Sequence, residues 1–205
     1  MASAVQVFQI NEDNLPATLS APPMTDEAFE ELCAEHPDLF FEVTGDGEII
    51  IIPPPYSITG ARNFEIAGQL RVWSRRNGLG VGTDSSTGFV LPNGARRSPA
   101  AAWTLKSRVA QLQAATRLRY WHLCPDFVIE LLSTSDRPRL IREKMEEWMA
   151  NGAQLAWLID ADKQSVAIYR PDGSIEVRTG IDSLSGEGPV KGFEADLGLV
   201  WNPLD

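Results

Sequence analysis

A chain of 205 residues is long enough to bury one substantial core and short for two full-sized domains. With 43% hydrophobic and 22% charged residues it follows ordinary globular usage, which excludes a disordered or fibrous protein. Its longest apolar runs, 49–52 and 127–129, fall far short of the roughly 18 residues of a membrane span, which argues against any membrane partner.

Residues 1–24 show no clear periodicity and read as an N-terminal arm, with residues 25–205 forming a single domain. Thr25 is an N-cap candidate for a short amphipathic helix carrying Phe29, Leu32 and Cys33 and ending before Pro37. Strands 40–43 and 48–52 flank Gly45-Asp46-Gly47 as a hairpin, and Pro53-Pro54-Pro55 stops the second strand. A long helix is predicted over 59–77, with Ile66, Leu70 and Trp73 on one face and Gly78 just beyond its end. Strand candidates follow at 81–83, 88–91 and 98–105, and 106–123 reads as irregular with some helix.

The nearly continuous apolar run 127–132 predicts a strand covered on both faces. Ser133-Thr134-Ser135-Asp136 offers caps for the next helix, which runs to about Asn151 and stops at Gly152. Strands at 155–159, 166–169 and 175–177 complete the pattern. Strand, helix, strand over 126–159 is a βαβ unit, so the fold class is α/β (α+β) with a partly parallel, mixed sheet flanked by helices.

Glu130 stands inside the apolar run 127–132. An unpaired buried carboxylate costs several kcal/mol, so it needs a cation, a metal or an opening to solvent. In the following helix Leu140, Ile141, Met145, Trp148 and Met149 define the apolar arc, and Lys144 is the one charge projecting from it. The pair reads in two ways. It is a structural ion pair, or Glu130 binds a divalent ion while Lys144 holds the attacking water or steadies phosphorane charge.

At these residues the chain resembles the Uma2 family of restriction-endonuclease-like proteins. The resemblance is carried by Cys124-Pro125-Asp126-Phe127-Val128-Ile129-Glu130-Leu131-Leu132-Ser133, by Arg142-Glu143-Lys144-Met145-Glu146-Glu147-Trp148, and by Asn151-Gly152 with Trp157-Leu158-Ile159-Asp160. Upstream, Asp84-Ser85-Ser86-Thr87-Gly88-Phe89, Leu91-Pro92-Asn93-Gly94 and Arg97-Ser98-Pro99 are similar too, so about residues 40–200 are covered. The resemblance implies a PD-(D/E)XK nuclease core using Mg2+ or Mn2+ to hydrolyse phosphodiester bonds, with DNA as partner and Glu130 and Lys144 as catalytic residues. Lys144 occupies the helical place to which this family has moved its lysine.

One departure stands out: where the family has Ser-Pro-Asp, this chain has Ser98-Pro99-Ala100, and a methyl group cannot ligate a metal. Asp84 is the first candidate for a substitute ligand, with a turn role as its alternative; Glu65, on a polar helix face, is the second. The expected outcome is an intact fold with weak or absent cleavage. A non-catalytic nucleic-acid-binding or regulatory module is the competing reading.

The net charge of −10 disfavours a polyanionic partner, yet residues 60–145 carry +8 and the remainder −18, a distribution suited to phosphate in the middle of the chain. Arg96 and Arg97, beside the altered motif, are the candidates for nucleic-acid contact, with ordinary ion pairing as the alternative. Gly78-Leu79-Gly80-Val81-Gly82 follows a helix rather than a strand and lacks the offset of a phosphate loop. His36 and His122 have no ligand partner at helical spacing, and Cys33 and Cys124 suit reduced thiols. The first residues lack a signal-peptide pattern, which predicts a cytoplasmic protein. Cleavage of both strands of a duplex would favour a homodimer.

Overall fold

The computed structural model describes residues 15–20, 24–133 and 136–205. In chain order these form β1 (Ala17–Ser20), α1 (Asp26–Glu35), β2 (Phe40–Val43), β3 (Glu48–Ile52), α2 (Ser57–Asn77), β4 (Gly80–Asp84), β5 (Phe89–Val90), β6 (Arg96–Arg97) and β7 (Ala101–Leu105). The short helices α3 (Lys106–Gln111) and α4 (Ala114–Arg117) lead to β8 (Phe127–Leu132), α5 (Pro138–Ala150), β9 (Leu155–Asp160), β10 (Ser165–Tyr169) and β11 (Ile175–Thr179). Then come β12 (Ser183–Ser185), a 3-10 turn at Gly188–Val190, β13 (Glu194–Asp196) and α6 (Gly198–Trp201).

The central sheet has the order β11-β10-β9-β8-β7-β4, and only β8 and β9 run parallel among its neighbours. A helical crossover is what a parallel pair requires, and α5 supplies it. Alternation along β8 sends Phe127, Ile129 and Leu131 into the core beneath α2, with Ile66, Leu70, Trp103 and Trp157. Val128 goes to the opposite face, into a second core with Met145 and Trp148 of α5. Glu130 shares that face with Val128, so the strand's period of two aims it at α5.

A second sheet, ordered β1-β3-β2-β6-β5, is built on the predicted hairpin. Its Phe41, Val43, Ile49 and Ile51 bury against Phe29 of α1, whose Thr25 cap accepts from Ala28 N at 3.2 Å. Glu42, between two residues facing α1, points to the other side of this sheet.

Several expectations are corrected. Residues 17–20, read as part of an irregular arm, form β1, because Ala17 and Leu19 pair with Ile51 and Ile49 on an otherwise open sheet edge; residues 1–14 and 21–23 of that arm lie outside the described residues. The capping role given to 133–136 also differs: Arg137 precedes α5 without a side-chain cap bond, and Asp136 Oδ2 instead accepts from Ser133 N at 2.7 Å. Thr134 and Ser135 lie outside the described residues. Strands as short as β6, β12 and β13 carry too few residues for a readable period. No helix among the described residues is long and apolar enough to cross a membrane.

Gly80 is where β4 meets the buried indole of Trp103: a Cβ there would stand 2.1 Å from Trp103 Cε2. Gly80→Ala should therefore lower stability by about 1–3 kcal/mol, a typical overpacking cost, read as a lower urea midpoint. Gly82→Ala, whose new carbon would meet nothing closer than 3.7 Å, should leave the midpoint unchanged or higher.

Candidate active site

Glu130 from β8 and Lys144 from α5 meet: Lys144 Nζ lies 2.8 Å from Glu130 Oε1. The same ammonium lies 2.7 Å from Glu42 Oε1, delivered by β2 of the other sheet. It also donates to Ser98 O at 2.8 Å. All three N–H donors of the lysine are thereby occupied.

The two carboxylates are supported differently. Glu42 accepts from Ser98 N at 2.9 Å and from Arg97 Nη1 at 3.0 Å. Arg97 in turn donates through Nε to Glu147 Oε2 at 2.5 Å, and Glu147 Oε1 accepts from Gly45 N at 2.8 Å and Asn93 Nδ2 at 3.0 Å. Glu130 Oε1 receives Trp148 Nε1 at 2.8 Å as well as the lysine. No hydrogen bond among the described residues reaches Glu130 Oε2.

All three groups are buried, with Glu42, Glu130 and Lys144 at 3%, 4% and 8% exposure, so their charges act with little screening. Burial alone pushes a carboxyl up and an ammonium down. Burial raises Glu42, but the neighbouring charges of Lys144 and Arg97 outweigh it and hold this carboxyl below the ordinary 4.5. Burial also raises Glu130; one lysine does not offset it, the charge of Glu42 adds to it, and the carboxyl sits above its ordinary range. For Lys144 burial lowers the value, and the two carboxylates reverse it, leaving the ammonium above 10.5.

The group lines a cavity of about 210 Å³ between the two sheets and α5. Ala100 lines it too. In the antiparallel pairing of β7 with β8, Ala101 stands opposite Ile129; Ala100 immediately precedes β7 and packs in the same core as Ile129 and Leu131. Position 100 and Glu130 thus border the same cavity.

Asp84 is corrected as a substitute ligand. It pairs with Ala101, which is in line with Ile129, so its side chain leaves the sheet on the α2 side, opposite Glu130. There its Oδ1 accepts from Ser86 N at 3.1 Å and Ser86 Oγ at 2.6 Å, the turn role. Glu65 is held by Gln69 Nε2 at 2.9 Å and does not line the cavity.

Arg96 and Arg97, expected to contact phosphate, are engaged in ion pairs within the fold. Both are buried in the β6 segment. Arg96 lies 2.6 Å from Asp26 Oδ1 and 5.4 Å from the centre of the Phe29 ring. Arg97 is enclosed by Glu42 and Glu147. Each fixes one element to another, and Arg97 also lines the cavity of Glu130 and Lys144.

Glu42 and Glu147 were not legible as site residues. Glu42 sits in a hairpin strand where a polar residue on alternate positions ordinarily means a solvated face, and Glu147 lies outside the apolar arc of its helix. What covers both is the long-range approach of the second sheet.

Among the described residues no three His, Cys, Asp or Glu side chains gather as a metal site. Glu130 nonetheless contributes to the cavity a carboxylate with one oxygen that no hydrogen bond among the described residues reaches, and Mg2+ takes as few as one or two protein carboxylates, completing its shell with water and phosphate. Glu130 and the cavity are compatible with one loosely held ion, to which Ala100 adds no oxygen donor.

The Uma2 family model, described as "Putative restriction endonuclease", matches residues 26–198. A solved structure described as a putative nuclease belonging to DUF820, from Anabaena variabilis, is similar with a TM-score of 0.73 at 20% sequence identity. The match covers 87% of this chain and 98% of that one, and at such identity it is a likeness of fold. No match was found among curated proteins.

Removing the lysine strands the buried Glu130 and leaves Glu42 with Arg97 alone. Lys144→Met should cost about 3–5 kcal/mol in chemical denaturation, whereas Arg139→Ala, which breaks the exposed pair with Glu143, should change stability by no more than about 0.5 kcal/mol. Acid titration separates the carboxylates. The lowered Glu42 contributes stability that is present above pH 4.5 and lost as pH falls through its folded value. Melting temperature below pH 4.5 should therefore fall less steeply for Glu42→Gln than for the natural chain.

Proposed function

Because the chain belongs to the Uma2 family, we propose that it acts on DNA as a phosphodiester hydrolase at the cavity of Glu130 and Lys144, with affinity for Mg2+ or Mn2+ reduced by the methyl group at position 100. The observation that carries this reading is the convergence of a β-strand carboxylate, a helix-borne ammonium and position 100 on one cavity wall. A bound ion would activate a water and polarise the phosphoryl group.

The chain's own residues have defined parts. Glu130 supplies the oxygen not engaged by Lys144 or Trp148. Trp148 fixes the plane of that carboxylate by bonding Oε1. Lys144 stays cationic and stands where negative charge would develop on a phosphorane, but it must exchange one of its three present bonds to donate to substrate. Glu42, Arg97 and Glu147 position the lysine rather than touch substrate.

Ala100 favours a second reading, in which the chain binds nucleic acid and does not cut it. Supercoiled-plasmid nicking with Mg2+ and with Mn2+ separates the two. The hydrolase reading expects slow nicking by the natural chain that Glu130→Ala abolishes, and faster nicking by Ala100→Asp, by about tenfold or more for a restored charge-stabilising ligand. Nicking by Ala100→Asp alone assigns the natural chain to the binding role. If neither natural chain nor Ala100→Asp cuts, the hydrolase reading is wrong.

A further inference from the structure

β11 is an outer strand of the central sheet, bonded only to β10 within it. Its residues are almost wholly exposed, including two large aliphatics, Ile175 at 54% and Val177 at 62%. An open edge of this kind, with apolar side chains and no proline, is a template for pairing with another strand.

The direction of the free backbone groups follows from the hairpin. Arg170 N donates to Ser174 O at 3.1 Å, and Gly180 N donates to Gln164 O at 2.9 Å. Antiparallel bonding alternates, so Glu176 and Arg178 face their amides toward Ile168 and Val166 of β10, while the N–H and C=O of Ile175, Val177 and Thr179 point outward.

The geometry points to self-association: two copies of this chain pair antiparallel through β11 about a two-fold axis at Val177, joining their central sheets into one. In that register Val177 meets the partner's Val177, and Ile175 lies opposite the partner's Thr179. All three outward-facing positions are then bonded. On the other face Glu176 stands opposite the partner's Arg178, and Arg178 opposite the partner's Glu176. The strand is self-complementary in charge as well as in backbone bonding, as an isologous interface requires. Glu176 and Arg178 already lie 2.7 Å apart within one chain, so both have the reach for a pair at this edge. The edge is three strands from β8, so each Glu130 cavity stays complete within its own chain, and the association stands or falls independently of cleavage. One strand edge covers less surface than the roughly 1,600 Å² of a standard stable interface, so the equilibrium is reversible and concentration-dependent.

Analytical ultracentrifugation of the full chain tests it, with far-ultraviolet circular dichroism and melting showing that each variant is folded. The natural chain should shift with rising concentration from 22.6 kDa toward twice that mass. Glu176→Lys makes the edge wholly basic and Arg178→Glu makes it wholly acidic, so each alone should stay monomeric at concentrations where the natural chain pairs. Mixed in equal amounts, the two variants place lysine and arginine opposite glutamates and should recover the dimer. A natural chain that remains monomeric at its solubility limit overturns the inference. So do single variants that associate as well as the natural chain, or folded variants whose mixture fails to associate.

Discussion

The molecule is organised around one ammonium group held by two buried carboxylates from different sheets. Lys144 has three N–H donors, and they reach Glu130 on the central sheet, Glu42 on the hairpin sheet and the carbonyl of Ser98 on the segment between them. Burying any one of these charges alone is costly, so each is tolerable only because the others are in place. The relative position of the two sheets is thereby coupled to the orientation of one lysine. Arg97 and Glu147 extend the same constraint to the turns at Gly45 and Asn93.

This constraint also sets what the cavity can hold. Glu42, Glu130 and Glu147 face Arg97 and Lys144, three negative charges against two positive, so the cluster is close to neutral without any bound ion. Glu130 is the less compensated carboxylate, since Glu42 has two cations and Glu130 shares one. Its remaining oxygen and its raised affinity for protons both mark it as the group that a cation would relieve. An aspartate at position 100 would bring a fourth negative charge and a second ligand to the same wall; alanine brings neither. The charge balance of the cavity therefore turns on one side chain.

Much of the architecture was legible because it rests on local periodicity. The hairpin at 40–52, the long helix ending at Gly78, the apolar strand 127–132 and the helix with Lys144 on its inner face all carry their signal within one element. The parallel β8–β9 pair followed from the intervening helix. The meeting of Glu130 with Lys144 followed from combining a period of two with a period of 3.6. Other features depended on contacts distant in sequence. Glu42 is 102 residues from Lys144, and nothing in Phe40-Phe41-Glu42-Val43 distinguishes a carboxylate entering a site from one facing water. Arg96 and Arg97 gave a basic dipeptide beside a functional motif, and only the three-dimensional fold showed that Asp26, Glu42 and Glu147 enclose it. Asp84 ends β4, just past the strand predicted at 81–83, and its face depends on register, which spacing alone does not determine.

The central claim is that two carboxylates, and not one or none, hold the buried Lys144 charged. Burial by itself lowers a lysine, so the sign of the shift discriminates. The most direct measurement is the side-chain titration of Lys144 followed by nuclear magnetic resonance in the natural chain, assigned by its loss in Lys144→Met or, should that variant not fold, in Lys144→Arg. Titration above the ordinary 10.5, or none before alkaline unfolding, is the predicted result. A value well below 10.5 would mean that desolvation prevails, that Glu42 and Glu130 do not both reach the ammonium, and that the site is not built as described.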